Sequence, residues 1–277
     1  MNNGQQPISA TYVHRHTRYG WKPDRHDERD LIFEVHQNQI TNLPRSVDLR
    51  ESCPPVYDQG RIGSCTANAI AGAFEFDLKK QKLQDFMPSR LFIYYNERKM
   101  EGSIERDAGA MIRDGVKSVN KLGVCAETEW SYDDTPARKD DDEWLPGSHA
   151  AAEPPKSAYA DALKHRAVSY HRISQDTQHM KVCLASGYPF VAGFTVYASF
   201  ESAKVKATGL VPMPAPEEKE KGGHAVLVVG YDDDKECWIV RNSWGTDWGV
   251  KGYFYMPYHY FTNRMLSSDF WTLRSVC

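Results

Sequence analysis

The stretch Asp58-Gln59-Gly60-Arg61-Ile62-Gly63-Ser64-Cys65-Thr66-Ala67-Asn68-Ala69 constrains this chain most. It runs from a side-chain amide through two glycines to a cysteine. From Cys65 to Lys80, residues Ala69, Ile70, Ala73, Phe74 and Asp77 recur at a period near 3.6, which predicts a helix. Gly60 and Gly63 suit a tight turn into it. A cysteine in the first turn of a helix meets unpaired amide N–H groups and the positive end of the helix dipole. A thiolate is an anion, so this placement predicts a lowered thiol pKa. The plainer reading is a structural cysteine buried on a core helix.

The downstream sequence supplies what a thiol nucleophile needs. Gly222-Gly223-His224-Ala225-Val226-Leu227-Val228-Val229-Gly230-Tyr231 is an apolar run of strand length opened by a histidine. A second strand follows in Cys237-Trp238-Ile239-Val240-Arg241-Asn242-Ser243-Trp244-Gly245, and the polar turn Asp232 to Lys235 joins the two as a hairpin. Such a hairpin brings His224 near Asn242. Cysteine, histidine and asparagine together are a nucleophile, a base and a group to orient the base.

Gln59 stands six residues before Cys65, and Gly-Ser-Cys, Gly-His-Ala-Val and Asn-Ser-Trp-Gly-Thr-Asp-Trp-Gly follow in that order. On these motifs the chain resembles the papain-type cysteine peptidases, in a bacterial branch, over Leu43 to Cys277. The resemblance implies an α+β fold of two lobes, one helical and one an antiparallel, barrel-like β lobe, with the active-site cleft between them. It implies that Cys65 is the nucleophile, that His224 takes its proton and later protonates the leaving amine, and that Asn242 holds the imidazole. Gln59 and the backbone N–H of Cys65 would form the oxyanion hole. Trp244 would cover the His–Asn hydrogen bond. Gly109 and Ala110 match a pair of glycines whose backbone binds an extended substrate as an added strand. Met111 and Ile112 would wall the pocket for the P2 side chain, two residues before the scissile bond, giving an apolar preference there. Core packing is the alternative for Ile112. Ala225 and Trp244 would also border the substrate.

The chain departs from the family pattern at several places. Ile62 stands where the family has a cysteine, so its usual disulfide cannot form. Thr66 replaces the aromatic after the nucleophile, Gly223 an aspartate before the histidine, and Ala110 the second glycine. None of these removes a catalytic group.

Composition sets the outer limits. A chain of 277 residues that is 41% hydrophobic can bury a sizeable core. A net charge of −3 argues against a dedicated nucleic-acid surface. No stretch is long and apolar enough for a membrane span. The opening Met1-Asn2-Asn3-Gly4-Gln5-Gln6 lacks the basic start and apolar run of a signal peptide, which fits the cytoplasm or export by another route. The six cysteines show no metal-ligand spacing, and the chemistry requires neither metal nor organic cofactor.

Residues 1–42, rich in His, Arg and Asn around the apolar island Leu31-Ile32-Phe33, occupy the place of a prosegment. They are expected to lie across the cleft as an intramolecular blocker. Residues 43–277 form the peptidase domain: a mainly helical part over 43–130, a connection over 131–160 and a mainly β part over 161–277. Within it, helices are expected from Pro88-Ser89 and from about Ala110 to Leu122, a loop over Pro212 to Gly223, and strands at Pro189–Val196, Gly252–Met256 and Phe270–Leu273; residues 158–166 fit a short helix or a strand. The expected function is thiol-dependent endopeptidase action on peptide or protein substrates, made as a zymogen. Two other classes stay open: a catalytically silent peptide-binding relative, and a thiol acyltransferase or deamidase that shares the acyl-enzyme step.

Overall fold

The computed structural model describes residues 18–277, so residues 1–17 of the expected blocking segment lie outside the described residues. The chain enters as an extended strap that contributes β1 (Trp21–Lys22) and the short α1 (Gln37–Thr41). β2 (Ser46–Asp48) then pairs antiparallel with residues 230–232 of a later strand. Three helices follow: α2 (Cys65–Lys80), α3 (Arg90–Glu101) and α4 (Ile112–Lys121), with the two-residue β3 (Ala110–Met111) immediately before α4. Ser89 caps α3, its hydroxyl accepting from Phe92 N at 3.1 Å, and Gly102 ends that helix in the left-handed conformation.

After the polar connection come α5 (Lys156–Ala162), β4 (Ala167–Arg172), α6 (Thr177–Ala185), β5 (Phe190–Tyr197), α7 (Ala203–Thr208), β6 (Glu220–Asp232), β7 (Cys237–Arg241), β8 (Tyr253–Pro257), α8 (Tyr258–Thr262) and β9 (Ser267–Val276). Six of these strands pair antiparallel in the order β4-β9-β5-β6-β7-β8, and β2 pairs with β6. This is the α+β division into a helical and a β half that the sequence implies.

Strand pleating explains why β5 and β6 read as unbroken apolar runs. Successive side chains point to opposite faces. Val191, Leu227 and Val229 join the core around α2, α3 and α4. Phe190, Ala192, Phe194, Val226 and Val228 join a second core beneath Trp238, Phe254 and Phe261. A sheet buried on both faces needs apolar residues at every position. α2 packs on β6 and β9 and is buried along all of Cys65–Leu78, so it is the shared wall between the halves.

Three boundaries differ from the sequence reading. The helix expected from Ala110 starts at Ile112, because Ala110 and Met111 are extended and pair in parallel with Trp21 and Lys22. The loop expected through Gly223 ends earlier: β6 begins at Glu220 and pairs with the far end of β5. Residues 156–162 settle as a helix. All six cysteines are free.

Candidate active site

The turn before α2 is held from outside by a buried carboxylate. Asp107 accepts Gly63 N at 3.0 Å and the Tyr94 hydroxyl at 2.6 Å; Gly109 N in turn donates to the Tyr94 oxygen at 3.1 Å. One hydrogen-bonded chain therefore ties the turn that presents Cys65 to the backbone edge at Gly109. Gly109 sits at φ +68°, a conformation that favours glycine.

Cys65 opens α2 and is fully buried. The backbone N–H groups of Ala225, Gly20 and Thr66 all favour its charged form. Burial nevertheless wins and pushes the thiol up to about 12. This corrects the expectation of a lowered thiol pKa, and the strap supplies the reason: Gly20 lies directly on the site and excludes water from it. A charge taken out of water costs more than three amide dipoles return.

Across the lobe boundary, the β6–β7 hairpin brings His224 and Asn242 together, with Nε2 2.8 Å from Asn242 Oδ1. The backbone N–H of Ser243 donates to the same Oδ1 at 2.9 Å, which identifies that atom as the oxygen. Nε2 therefore carries the proton, and the imidazole is held in the tautomer that leaves Nδ1 as its basic nitrogen. The Trp244 ring lies 5.1 Å from the imidazole, tilted by 31°, and Phe200 and Trp248 back the indole at 5.5 and 5.0 Å. His224 and Asn242 thus sit in a dry aromatic pocket, 0% and 2% exposed.

Gln59 is buried beside them. Its Oε1 accepts the Ser243 hydroxyl at 2.7 Å, its Nε2 donates to Ile62 O at 3.0 Å, and its backbone N–H donates to Ser243 O at 2.8 Å. Ser243 was missed in the sequence. It fixes which end of the Gln59 amide is the donor, yet reads there only as a small residue after Asn242.

The strap fills the groove beside these groups. Ala110 N donates to Gly20 O at 2.7 Å, and Trp21 lies opposite Ala110. The Trp21 indole occupies a pocket between β5 and β6. A Cβ added to Gly193 would fall 2.1 Å from its ring, and one added to Gly223 would fall 2.7 Å from it. At the pocket's end Trp21 Nε1 donates to Asp269 Oδ2 at 3.2 Å. Tyr19 turns its ring toward His224, 5.8 Å away, and its hydroxyl donates to Glu201 at 2.6 Å. Of the proposed pocket residues, Met111 lies opposite Lys22 and is 9% exposed, whereas Ile112 is fully buried in the core around α2. Asp269 and Trp21 were also missed: a lone aspartate in a strand and a tryptophan in a polar stretch carry no periodic signal.

Comparison with known proteins gives a consistent result. A family model described as papain family cysteine protease matches residues 43–268. An uncharacterized peptidase C1-like protein of Acanthamoeba polyphaga mimivirus is 46% identical over 256 residues, covering 89% of this chain and 75% of the relative. A cathepsin B-like protein, CP2, of Giardia intestinalis is 31% identical over 78% of this chain and 69% of its own length. Among solved structures, xylellain, a cysteine protease from Xylella fastidiosa, is 48% identical and superposes with a TM-score of 0.89, covering 95% of this chain and 98% of that one.

Proposed function

Since the chain belongs to the papain family of cysteine proteases, we propose that it is an endopeptidase working through Cys65, His224 and Asn242, blocked by its own N-terminal strap. The observation that carries this reading is the His224–Asn242 pair at 2.8 Å, with the amide of the next residue, Ala225, turned to the Cys65 sulfur.

Nδ1 of His224 takes the thiol proton, and the thiolate attacks the peptide carbonyl. The developing oxyanion accepts from Gln59 Nε2 and from the backbone N–H of Cys65; each such donor is worth about 3 kcal/mol in the transition state. The imidazolium returns its proton to the leaving amine, which departs and leaves an acyl-enzyme. His224 then activates water to hydrolyse the thioester and free Cys65. Water as acceptor distinguishes this from acyl transfer to an amine.

Asn242 acts through orientation. Its contribution is shared with the aromatic packing of Trp244, so Asn242→Ala should lose less activity than His224→Ala. Comparing kcat/KM of the two variants checks this, and the reverse ranking would contradict the role.

The Trp21 pocket supports an apolar P2 preference. Its walls include Gly193 and Gly223, it is wide enough for an indole whose N–H meets Asp269 at the far end, and it lies on the groove side bounded by Ala110 and Met111. Digesting a peptide mixture with the chain carrying Gly20→Ala, a substitution aimed at lifting the strap, should give internal cuts after bulky apolar P2 residues, with hydrolysed ends. Selection of acidic P2 residues would refute the pocket assignment. Products joined to added amines would refute hydrolysis.

A further inference from the structure

The strap is fastened by acidic residues at every third position. Asp24, Asp27 and Asp30 face Arg113 and Lys117 on α4 and Arg172 on β4. Arg113 pairs with Asp27 and, at 2.7 Å, with Asp30, and Lys117 lies 3.7 Å from Asp27. Arg172 serves three carboxylates: Asp24 at 2.7 Å, Asp30 at 3.3 Å and Asp269 of β9 at 3.4 Å. Asp30 and Asp27 thus have other cations to pair with. Among the described residues, Arg172 is the one cation paired with Asp24 and with Asp269, whose side chains are 0% and 4% exposed.

His26 of the strap also acts by its charge on Asp30, while the other groups bonded to Asp24 and Asp269 are neutral. Asp24 accepts Trp271 Nε1 at 2.8 Å and Arg113 N at 3.0 Å. Asp269 accepts the backbone N–H of Asp24 at 2.8 Å and Trp21 Nε1 at 3.2 Å. Two carboxylates are therefore buried side by side against a single guanidinium that they share with a third. When the strap leaves, Asp24 returns to water and Asp269 keeps Arg172.

We propose that docking of the strap takes up a proton on the Asp24–Asp269 pair, so that acid holds the cleft shut and rising pH releases it. This rests on the reading of the strap as the blocker and adds the signal that controls it.

Burial, followed by the charge of Asp269, pushes the Asp24 carboxyl up to about 7, while the Arg113 amide, the Trp271 indole and Arg172 pull the other way and lose. Burial also raises Asp30, against Arg172 and Lys117. A free aspartate titrates at about 3.9. The docked form therefore holds the extra proton between that value and about 7. The contribution of this pair to docking is fully present below the free value. Docking weakens by up to about tenfold per pH unit through the window and gains no further pH dependence from this pair above it. Titration of two close carboxylates belongs to the pair, not to one oxygen.

The test reads strap opening without relying on turnover. Iodoacetamide labelling of Cys65, mapped by mass spectrometry, is timed from pH 5 to pH 8 in the full chain and in the chain carrying Gly20→Ala. Dividing the two rates cancels the thiol's own titration and leaves the fraction open. That fraction should rise on the order of tenfold per unit from pH 5 toward pH 7. The same measurement in Asp24→Asn should lose most of that slope, and in Asp269→Asn, which removes the neighbouring charge but leaves Asp24 buried, part of it; each variant has its own Gly20→Ala reference. Asp269 sits at φ +62°, which asparagine tolerates, so the second variant keeps its backbone.

A flat ratio below one would overturn the latch and leave the blocking reading intact. A ratio of one at every pH would overturn the blocking reading and the latch with it. A ratio that falls as pH rises, or a slope retained in both asparagine variants, would overturn the proposed proton site.

Discussion

Cys65→Ala is expected to abolish peptide hydrolysis while leaving the fold in place. Loss of the nucleophile in an enzyme that works through a covalent intermediate costs on the order of 10⁶ in kcat. No second group can replace it. Cys53, Cys125, Cys183 and Cys237 are buried, and burial raises each of their thiols, Cys125 to about 12 and Cys183 to about 11. Cys277 is exposed at the C-terminus, where its sulfur faces Arg166 O.

The structural cost of the change is small by comparison. Cys65 begins α2 rather than lying within it, and alanine is the best helix former. The turn before it stays fixed by Asp107, and the His224–Asn242 pair belongs to the other lobe. A melting temperature within a few degrees of the parent, combined with loss of turnover on a fluorogenic peptide, is the expected outcome. Turnover at the parent rate would remove Cys65 from the mechanism, and with it the whole assignment.

Much of this site is legible in the sequence because its parts lie on regular elements. The helix behind Cys65 announces itself by its 3.6 period, and its observed span, Cys65–Lys80, is the one expected. The hairpin carrying His224 and Asn242 announces itself by two apolar runs around a polar turn. Once the hairpin forms, the 2.8 Å contact across it follows from geometry.

What the sequence concealed depends on contacts between distant segments. Nothing near Ala110 and Met111 says that they are extended; they are so because the strap pairs with them. Glu220 to Gly223 look like loop because they are polar or glycine, yet β5 supplies partners for them. The thiol expectation treated the helix terminus in isolation, whereas Gly20 and Trp21 change its solvent. Asp24, Asp27 and Asp30 stand in a polar stretch that reads as loop, and only the fold reveals that Arg113 and Arg172 wait beneath them.

Gly20→Ala should open the cleft and raise activity on small peptides. A Cβ on residue 20 would fall 1.6 Å from Gly63 O and 2.4 Å from its carbonyl carbon, so one side must move. Gly63 is the fixed side. Asp107 holds its N–H through both carboxylate oxygens, and Ser64 and Cys65 beyond it are fully buried. The strap is the movable side: a two-residue parallel pair, one 2.7 Å hydrogen bond to Ala110 N and the side-chain hydrogen bonds of Tyr19 to Glu201 and of Trp21 to Asp269 join it to the body here. Isolated two-strand pairing of that length is marginal in water.

The methyl therefore lifts residues 19–21 off Cys65 and weakens the docking of the strap as a whole. If the closed form is favoured by a few kcal/mol, each 1.4 kcal/mol taken from it raises the open fraction about tenfold. The expected gain in kcat/KM is thus on the order of 10- to 100-fold. Water returning to the sulfur should also bring its pKa down, so that iodoacetamide labelling of Cys65 at neutral pH accelerates in step with activity. A folded Gly20→Ala protein with unchanged activity and unchanged labelling would mean that the strap does not guard the cleft. The buried thiol would then need another explanation.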